Sequence, residues 1–247
     1  MRGVFRALGG LCAVGLAASQ AGAQSRPIVA PEAAAIYQRL LPQISRIKLF
    51  DHHAHPAFPG DDDVDIAPPP PGATPLRLRA ENPETVAAAR ALFGFPYRDM
   101  AGTHGQWLID KKAALKRQYP GSAYFNHILD RLGIETSMAN RVAMADYLDP
   151  ARFKWVFFVD CFMFPFDNSG LATNPDRAVY MPLQTKLLQR YAQQLSLPSP
   201  LPDTLTGYLS FLTRTLAENQ RRGGVAIKFE ASYFRSLSFG DPAGETV

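Results

Sequence analysis

Lys48-Leu49-Phe50-Asp51-His52-His53-Ala54-His55-Pro56 is the stretch that decides the fold. A short, largely apolar run from Ile47 to Phe50 ends in Asp51 and then in three histidines within four positions. Side chains two apart on a strand leave the same face. His53 and His55 therefore aim at one point, with Asp51 on their side and His52 turned away. Two neutral imidazoles share a divalent ion when a nitrogen of each sits about 2.0–2.1 Å from it. The pattern predicts a metal pair, His53 and His55, at the end of a first strand, with His52 as a packing or supporting residue. A chance histidine cluster in a surface loop is the competing reading, and the strand-like run directly before the cluster speaks against it.

Upstream, Pro31 suits the start of a helix. Ile36, Leu40, Leu41 and Ile44 recur at helical spacing over 31–45, so that helix is expected to cover the bottom of the domain or to pack across the first strand. Before it, Arg2 and Arg6 precede an apolar run from Ala7 to Ala18 that is too short to span a bilayer. Ala21-Gly22-Ala23 offers a small-x-small cleavage site. Residues 1–23 are expected to be a secretory signal, removed on export to the periplasm or the outside, with no stable membrane insertion. Cys161 is then the only cysteine of the mature chain, and export brings no internal disulfide. Set among Phe158, Phe162 and Phe164, it reads as a small core residue. Arg2 and Arg6 account for two of the charges behind the formal +4, and no long basic run remains to mark a nucleic-acid footprint. With 47% of its residues hydrophobic, the chain has material for a sizeable core, which excludes global disorder.

Downstream, 56–120 reads as an insertion after the first strand. Asp61-Asp62-Asp63-Val64-Asp65 lacks the ordered ligand spacing of a calcium loop and is expected to be solvated. Pro68 to Pro71 cannot continue a helix. Asn82 is placed to cap a helix that opens at Pro83-Glu84-Thr85, and Gly105 to Gln118 looks helical. Phe93, Phe95, Tyr97 and Trp107 either line a pocket lid or pack the insertion onto the body. His104 and His127 are expected to stay outside any site.

The rest alternates. Ser122 to Leu132 is a helix ended by Gly133. Thr136 to Asn140 and Trp155 to Phe158 are strands. A long amphipathic helix starts at an Asp203 cap and buries Leu205, Tyr208, Leu209, Leu212 and Leu216, and Val225 to Phe229 is a further strand. Strands separated by helical connections imply parallel pairing and an α/β architecture. Ligands at the C-terminal ends of such strands are what a (β/α)8 barrel uses to build its active site.

Lys228 stands out in that last strand. Val225, Ile227 and Phe229 share one face; Ala226, Lys228 and Glu230 share the other. Burial lowers a lysine pKa, and a neutral amine reacts with carbon dioxide to give a carbamate, an anionic oxygen ligand able to bridge two metals. The competing reading pairs Lys228 with a carboxylate such as Glu230 or Asp160.

Taken together, these residues resemble the amidohydrolase superfamily, in its broad amidohydrolase-related branch. The likeness rests on His53-Ala54-His55 after the first strand. Leu132-Gly133-Ile134-Glu135-Thr136 supports it as a helix-to-second-strand passage, and Gly224-Val225-Ala226-Ile227-Lys228-Phe229 as a fourth strand. It spans roughly 45–240 and covers 56–120 poorly. It implies a TIM-type (β/α)8 barrel holding one or two divalent ions, usually zinc. His53 and His55 would bind the more buried ion and a carbamylated Lys228 would bridge. It also implies metal-activated water attacking a C–N or C–O bond of a small-molecule substrate.

The family further uses histidines from its fifth and sixth strands and an aspartate after its eighth, and none of these is found here. Only about four barrel strands are counted, so 24–247 is expected to be the N-terminal portion of a longer enzyme. Half a barrel exposes a sheet edge and an apolar face, which invites association into a homo-oligomer. Arg141 and Arg235, after the second and fourth strands, are candidate substrate-carboxylate clamps, with structural ion pairing as the alternative. The same barrel would also suit a metal-dependent decarboxylase or a sugar-acid isomerase, or survive as an inactive half-barrel or binding protein.

Overall fold

Among the described residues four short strands form one sheet: β1 (Leu49–Ala54), β2 (Ile134–Asn140), β3 (Phe153–Phe158) and β4 (Gly224–Lys228). They lie in the order β1-β2-β3-β4, and each neighbouring pair is parallel. These come from a computed structural model, which describes residues 29–65, 79–165, 168–175, 177–197, 201–233 and 235–238. The signal-like segment 1–23 and the run Pro68 to Pro71 lie outside them. No described helix is long and apolar enough to cross a membrane.

Among the described residues six α-helices accompany the sheet: α1 (Ala34–Ile44), α2 (Pro83–Phe93), α3 (Thr103–Gln118), α4 (Ala123–Leu132), α5 (Arg177–Gln194) and α6 (Leu205–Arg221). The punctuation is local chemistry. Asn82 caps α2 by accepting from the Glu84 N–H at 3.0 Å. Gly133 turns the chain from α4 into β2 at φ 68°, a left-handed conformation that glycine adopts without steric cost. Thr204, not Asp203, caps α6: its hydroxyl accepts from the Gly207 N–H.

The main core lies between β3 and the α5–α6 pair, where Trp155, Phe157, Phe158, Phe162, Leu187, Leu188, Tyr191, Tyr208 and Phe211 are buried. Cys161 lies in that core as a buried free thiol. A second cluster seats α4 on β2 and β3 through Leu129, Ala139, Leu148 and Phe153. The aromatic residues 93–107 form a small core of their own, with Phe95 and Val86 at its centre, so they hold α2 and α3 together.

Helix α5 has no counterpart in the sequence reading. Its buried positions, Tyr180, Gln184, Leu187, Leu188, Tyr191 and Ala192, mix with polar residues, and Pro182 sits inside it. Helix α1 forms as expected behind a 3-10 turn at Pro31–Ala33 but buries none of its residues. The expectation that it covers the domain is therefore corrected.

Gly224 opens β4 against the core. A Cβ there would lie 2.7 Å from a Phe157 ring carbon and 2.9 Å from the Asn219 carbonyl oxygen. Gly224→Ala is expected to cost ~1–3 kcal/mol of stability by overpacking, read as a lower urea midpoint with an unchanged slope.

Candidate metal centre

β1 ends at Ala54 and brings His53 and, one residue beyond the strand, His55 together. Their Nε2 atoms are 3.3 Å apart. Two nitrogens bound tetrahedrally to one ion at about 2.0–2.1 Å are themselves separated by roughly 3.3–3.4 Å. The Nδ1 of His55 faces the Val64 carbonyl at 3.5 Å and the Asp65 carboxylate at 3.4 Å. Those acceptors assign the ring proton to Nδ1 and leave Nε2 with its lone pair, the arrangement in which a carbonyl or carboxylate behind the ring orients a metal-binding imidazole.

Lys228 arrives from the other end of the sheet. Its Nζ donates to His53 Nε2 at 3.0 Å. β1 and β4 are three strand spacings apart, ~14 Å in a flat sheet. The contact therefore needs both side chains on one face and leaning together. Burial, then the nearby Lys228 and His55, lowers the His53 pKa, so its ring is neutral at pH 7. With Nδ1 protonated in His55, its Nε2 lone pair is free, and the Nε2 lone pair of His53 accepts from the Lys228 ammonium. A positive group therefore already sits against this pair of ring nitrogens, and in this respect the donor set fits a cation. Among the described residues, no three histidine, cysteine or acidic side chains converge as a metal group. The third nitrogen here is an amine, which becomes a ligand only after losing its proton or being carboxylated.

The bases of these side chains are fastened. Asp51 accepts from the Ser137 hydroxyl at 2.8 Å and from the His53 N–H at 3.2 Å. The acidic stretch after β1 is pinned to the body, contrary to the expectation of a solvated loop. Arg190 grips Asp63 through two nitrogens at 2.6 and 3.1 Å. Arg141 donates to Asp61 at 2.6 Å and also to the carbonyls of Pro56 and Ala143. Tyr147 donates to the same Asp61 carboxylate. This clamp sets Val64 and Asp65 beside His55.

Arg141 is fully buried and paired with Asp61, so its donors serve protein acceptors, which is the ion-pairing alternative of the sequence reading and not the substrate clamp. Arg235 is exposed and donates from Nε to the Ser236 carbonyl. His104 pairs with Asp99 at 2.9 Å and stacks on Tyr97, and His127 stacks on Tyr119.

Beyond Lys228 the chain places two buried acids. Asp160 accepts from the Glu230 N–H at 2.7 Å, joining the ends of β3 and β4. Burial raises its pKa. Burial, then Asp65, pushes Glu230 up to about 8. Oε2 of Glu230 and Oδ2 of Asp160 are buried with no hydrogen-bond partner among the described residues. The sequence showed these acids only as ion-pair partners for the lysine.

Glu230 carries a prediction. Its folded pKa lies above the ordinary carboxylate value near 4.5, so between that value and about 8 the folded chain holds a proton that the unfolded chain releases. Stability of the metal-free protein is expected to fall by up to ~5 kcal/mol as pH rises through this window. Glu230→Gln is expected to flatten that slope in urea titrations at pH 5 and pH 8.

No family model, curated protein or solved structure matches this chain.

Proposed function

We propose that the chain is a metal-dependent hydrolase of amidohydrolase type on a (β/α)8 barrel plan, acting on a C–N or C–O bond of a small molecule. The observation that carries this is the meeting of His53 Nε2, His55 Nε2 and Lys228 Nζ within 3.3 Å links at the carboxyl ends of β1 and β4. That is where α/β barrels place their chemistry. The parallel order of the strands and the meeting of His53 with Lys228 across the sheet support the barrel plan.

His53 and His55 would hold a zinc ion, and Lys228, once carbamylated, would supply an oxygen ligand able to bridge to a second. Carbamylation adds carbon dioxide to the neutral amine, with its proton leaving to solvent. When bound, such an ion lowers the pKa of its water to about 7 and polarises a carbonyl oxygen. The chain's own residues do the rest. Asp65 and Val64 keep the His55 proton on Nδ1, and Asp51 fixes the end of β1. Glu230, protonated up to about pH 8, would have a carboxyl proton that suits a leaving nitrogen or oxygen.

The same proton would suit quenching of a carbanion, so a decarboxylase is the second reading. A panel of amides, lactones and carboxylic acids, assayed with and without chelator, tests both. Chelator-sensitive cleavage of an amide or lactone is expected. Carbon dioxide release alone would select the second reading, and turnover unaffected by chelator would overturn both.

A further inference from the structure

We propose that Arg190, from α5, is a positioning residue of the metal centre: through Asp63 and Asp65 it sets which ring nitrogen of His55 carries the proton. The proposal takes its purpose from the metal reading and its content from the contacts around His55. An imidazole binds a cation through the nitrogen that lacks the proton, and the acceptor at the other nitrogen decides which one that is. For His55 the acceptors are the Val64 carbonyl and the Asp65 carboxylate, 3.5 and 3.4 Å from Nδ1. Neither residue belongs to a helix or strand. Their place beside the ring is therefore set by whatever fixes the segment that carries them.

Three ties fix it. The Asp61 carboxylate accepts from Arg141 and Tyr147, and also from the Asp63 N–H at 2.9 Å. The Asp63 carbonyl accepts from the Val142 N–H at 2.9 Å. The Asp63 carboxylate takes both nitrogens of the Arg190 fork, at 2.6 and 3.1 Å. A planar fork on a carboxylate fixes orientation as well as distance, so this tie holds the Asp63 side chain in one direction, two residues before Asp65.

The other end of the fork is anchored. Leu187, Leu188 and Tyr191, on either side of Arg190, are buried in the main core. The Tyr191 hydroxyl donates to the Phe158 carbonyl at the end of β3, at 2.8 Å. Helix α5 is thus fixed to the sheet, and Arg190 carries its position to the segment beside His55. Stability alone does not account for the contact. Both side chains are 38% exposed, and an ion pair so open to water contributes little to folding. Its orienting effect on the segment is what remains.

Heteronuclear NMR of the imidazole nitrogens reads the tautomer directly in metal-free protein. Wild-type His55 is expected to carry its proton on Nδ1. In Arg190→Met, shown to be folded by circular dichroism, the proton is expected to shift toward Nε2. Zinc affinity is expected to fall roughly 10–100-fold, the usual cost of losing the acceptor behind a metal-binding ring. Asp65→Ala is expected to act in the same direction. Because Arg190 acts through Asp65, the two substitutions together are expected to lose no more than Asp65→Ala alone, whereas independent effects would multiply. An unchanged His55 tautomer in folded Arg190→Met, or single losses that multiply in the pair, would overturn the proposal. Where Arg190→Met fails to fold, Asp63→Ala opens the same contact from its other side and decides by the same readings. A wild type that binds no zinc sinks the metal reading, and the tautomer then decides by itself whether Arg190 positions the ring. A wild type that binds zinc, with the tautomer indifferent to Arg190, sinks only this proposal.

Discussion

His53→Ala and His55→Ala are each expected to weaken zinc binding by more than about 100-fold, because each removes one of two imidazole ligands whose affinity is coupled to geometry and protonation. Their Nε2 atoms face each other at 3.3 Å, so neither ring is replaced by the other. His52→Ala serves as the control. It belongs to the same exposed strand end, but by strand alternation its side chain leaves the opposite face, and zinc affinity is expected to stay within a factor of two or so. Wild-type affinity should also fall as pH drops through the imidazole range, since a protonated ring cannot bind. Burial and the adjacent Lys228 depress His53, so that ring takes up its proton at a lower pH than a free imidazole.

Arg141→Met is expected to destabilise the fold by about 3–5 kcal/mol, the cost of stranding one partner of a buried ion pair. The guanidinium is buried and ties Asp61 and the carbonyls of Pro56 and Ala143 together. Removing it leaves a carboxylate and two carbonyl oxygens short of donors. Such a loss is a large share of the 5–15 kcal/mol that holds a typical domain. Burial works to raise Asp61, but the hydrogen bonds from Tyr147 and Arg141 outweigh it and hold its carboxyl below the ordinary range. A depressed carboxylate contributes stability above its ordinary pKa near 4, and that contribution is lost as pH falls through the folded value. Acid titration of the wild type should show this loss, and Arg141→Met should show less of it. Because the clamp sets Asp65 beside His55, zinc affinity in the folded fraction should fall as well.

Much of this was legible in the sequence. Alternation on a strand was enough to pair His53 with His55 and to turn His52 away. A lone lysine between Ile227 and Phe229 was enough to single out Lys228, and the two predictions meet at a 3.0 Å contact. Asn82 and Gly133 announced helix ends because capping is local. What escaped was non-local. Arg141 and Asp61 are eighty positions apart, so their ion pair leaves no periodicity to read. The acidic stretch looked solvated because its arginine partners come from the end of β2 and from α5. Helix α5 itself was hidden by a buried glutamine and an internal proline among its core positions. The high pKa of Glu230 depends on burial by the whole fold, which no run of residues displays.

The central claim is that β1 and β4 bring two imidazoles and an amine to one cation. Calorimetric titration of metal-stripped protein with zinc, wild type beside the His53→Ala/His55→Ala double variant, tests it most directly. The account predicts saturable binding of one or two ions per chain in the wild type and none in the folded variant. Absence of binding in the wild type, or the same isotherm for both proteins, would contradict it.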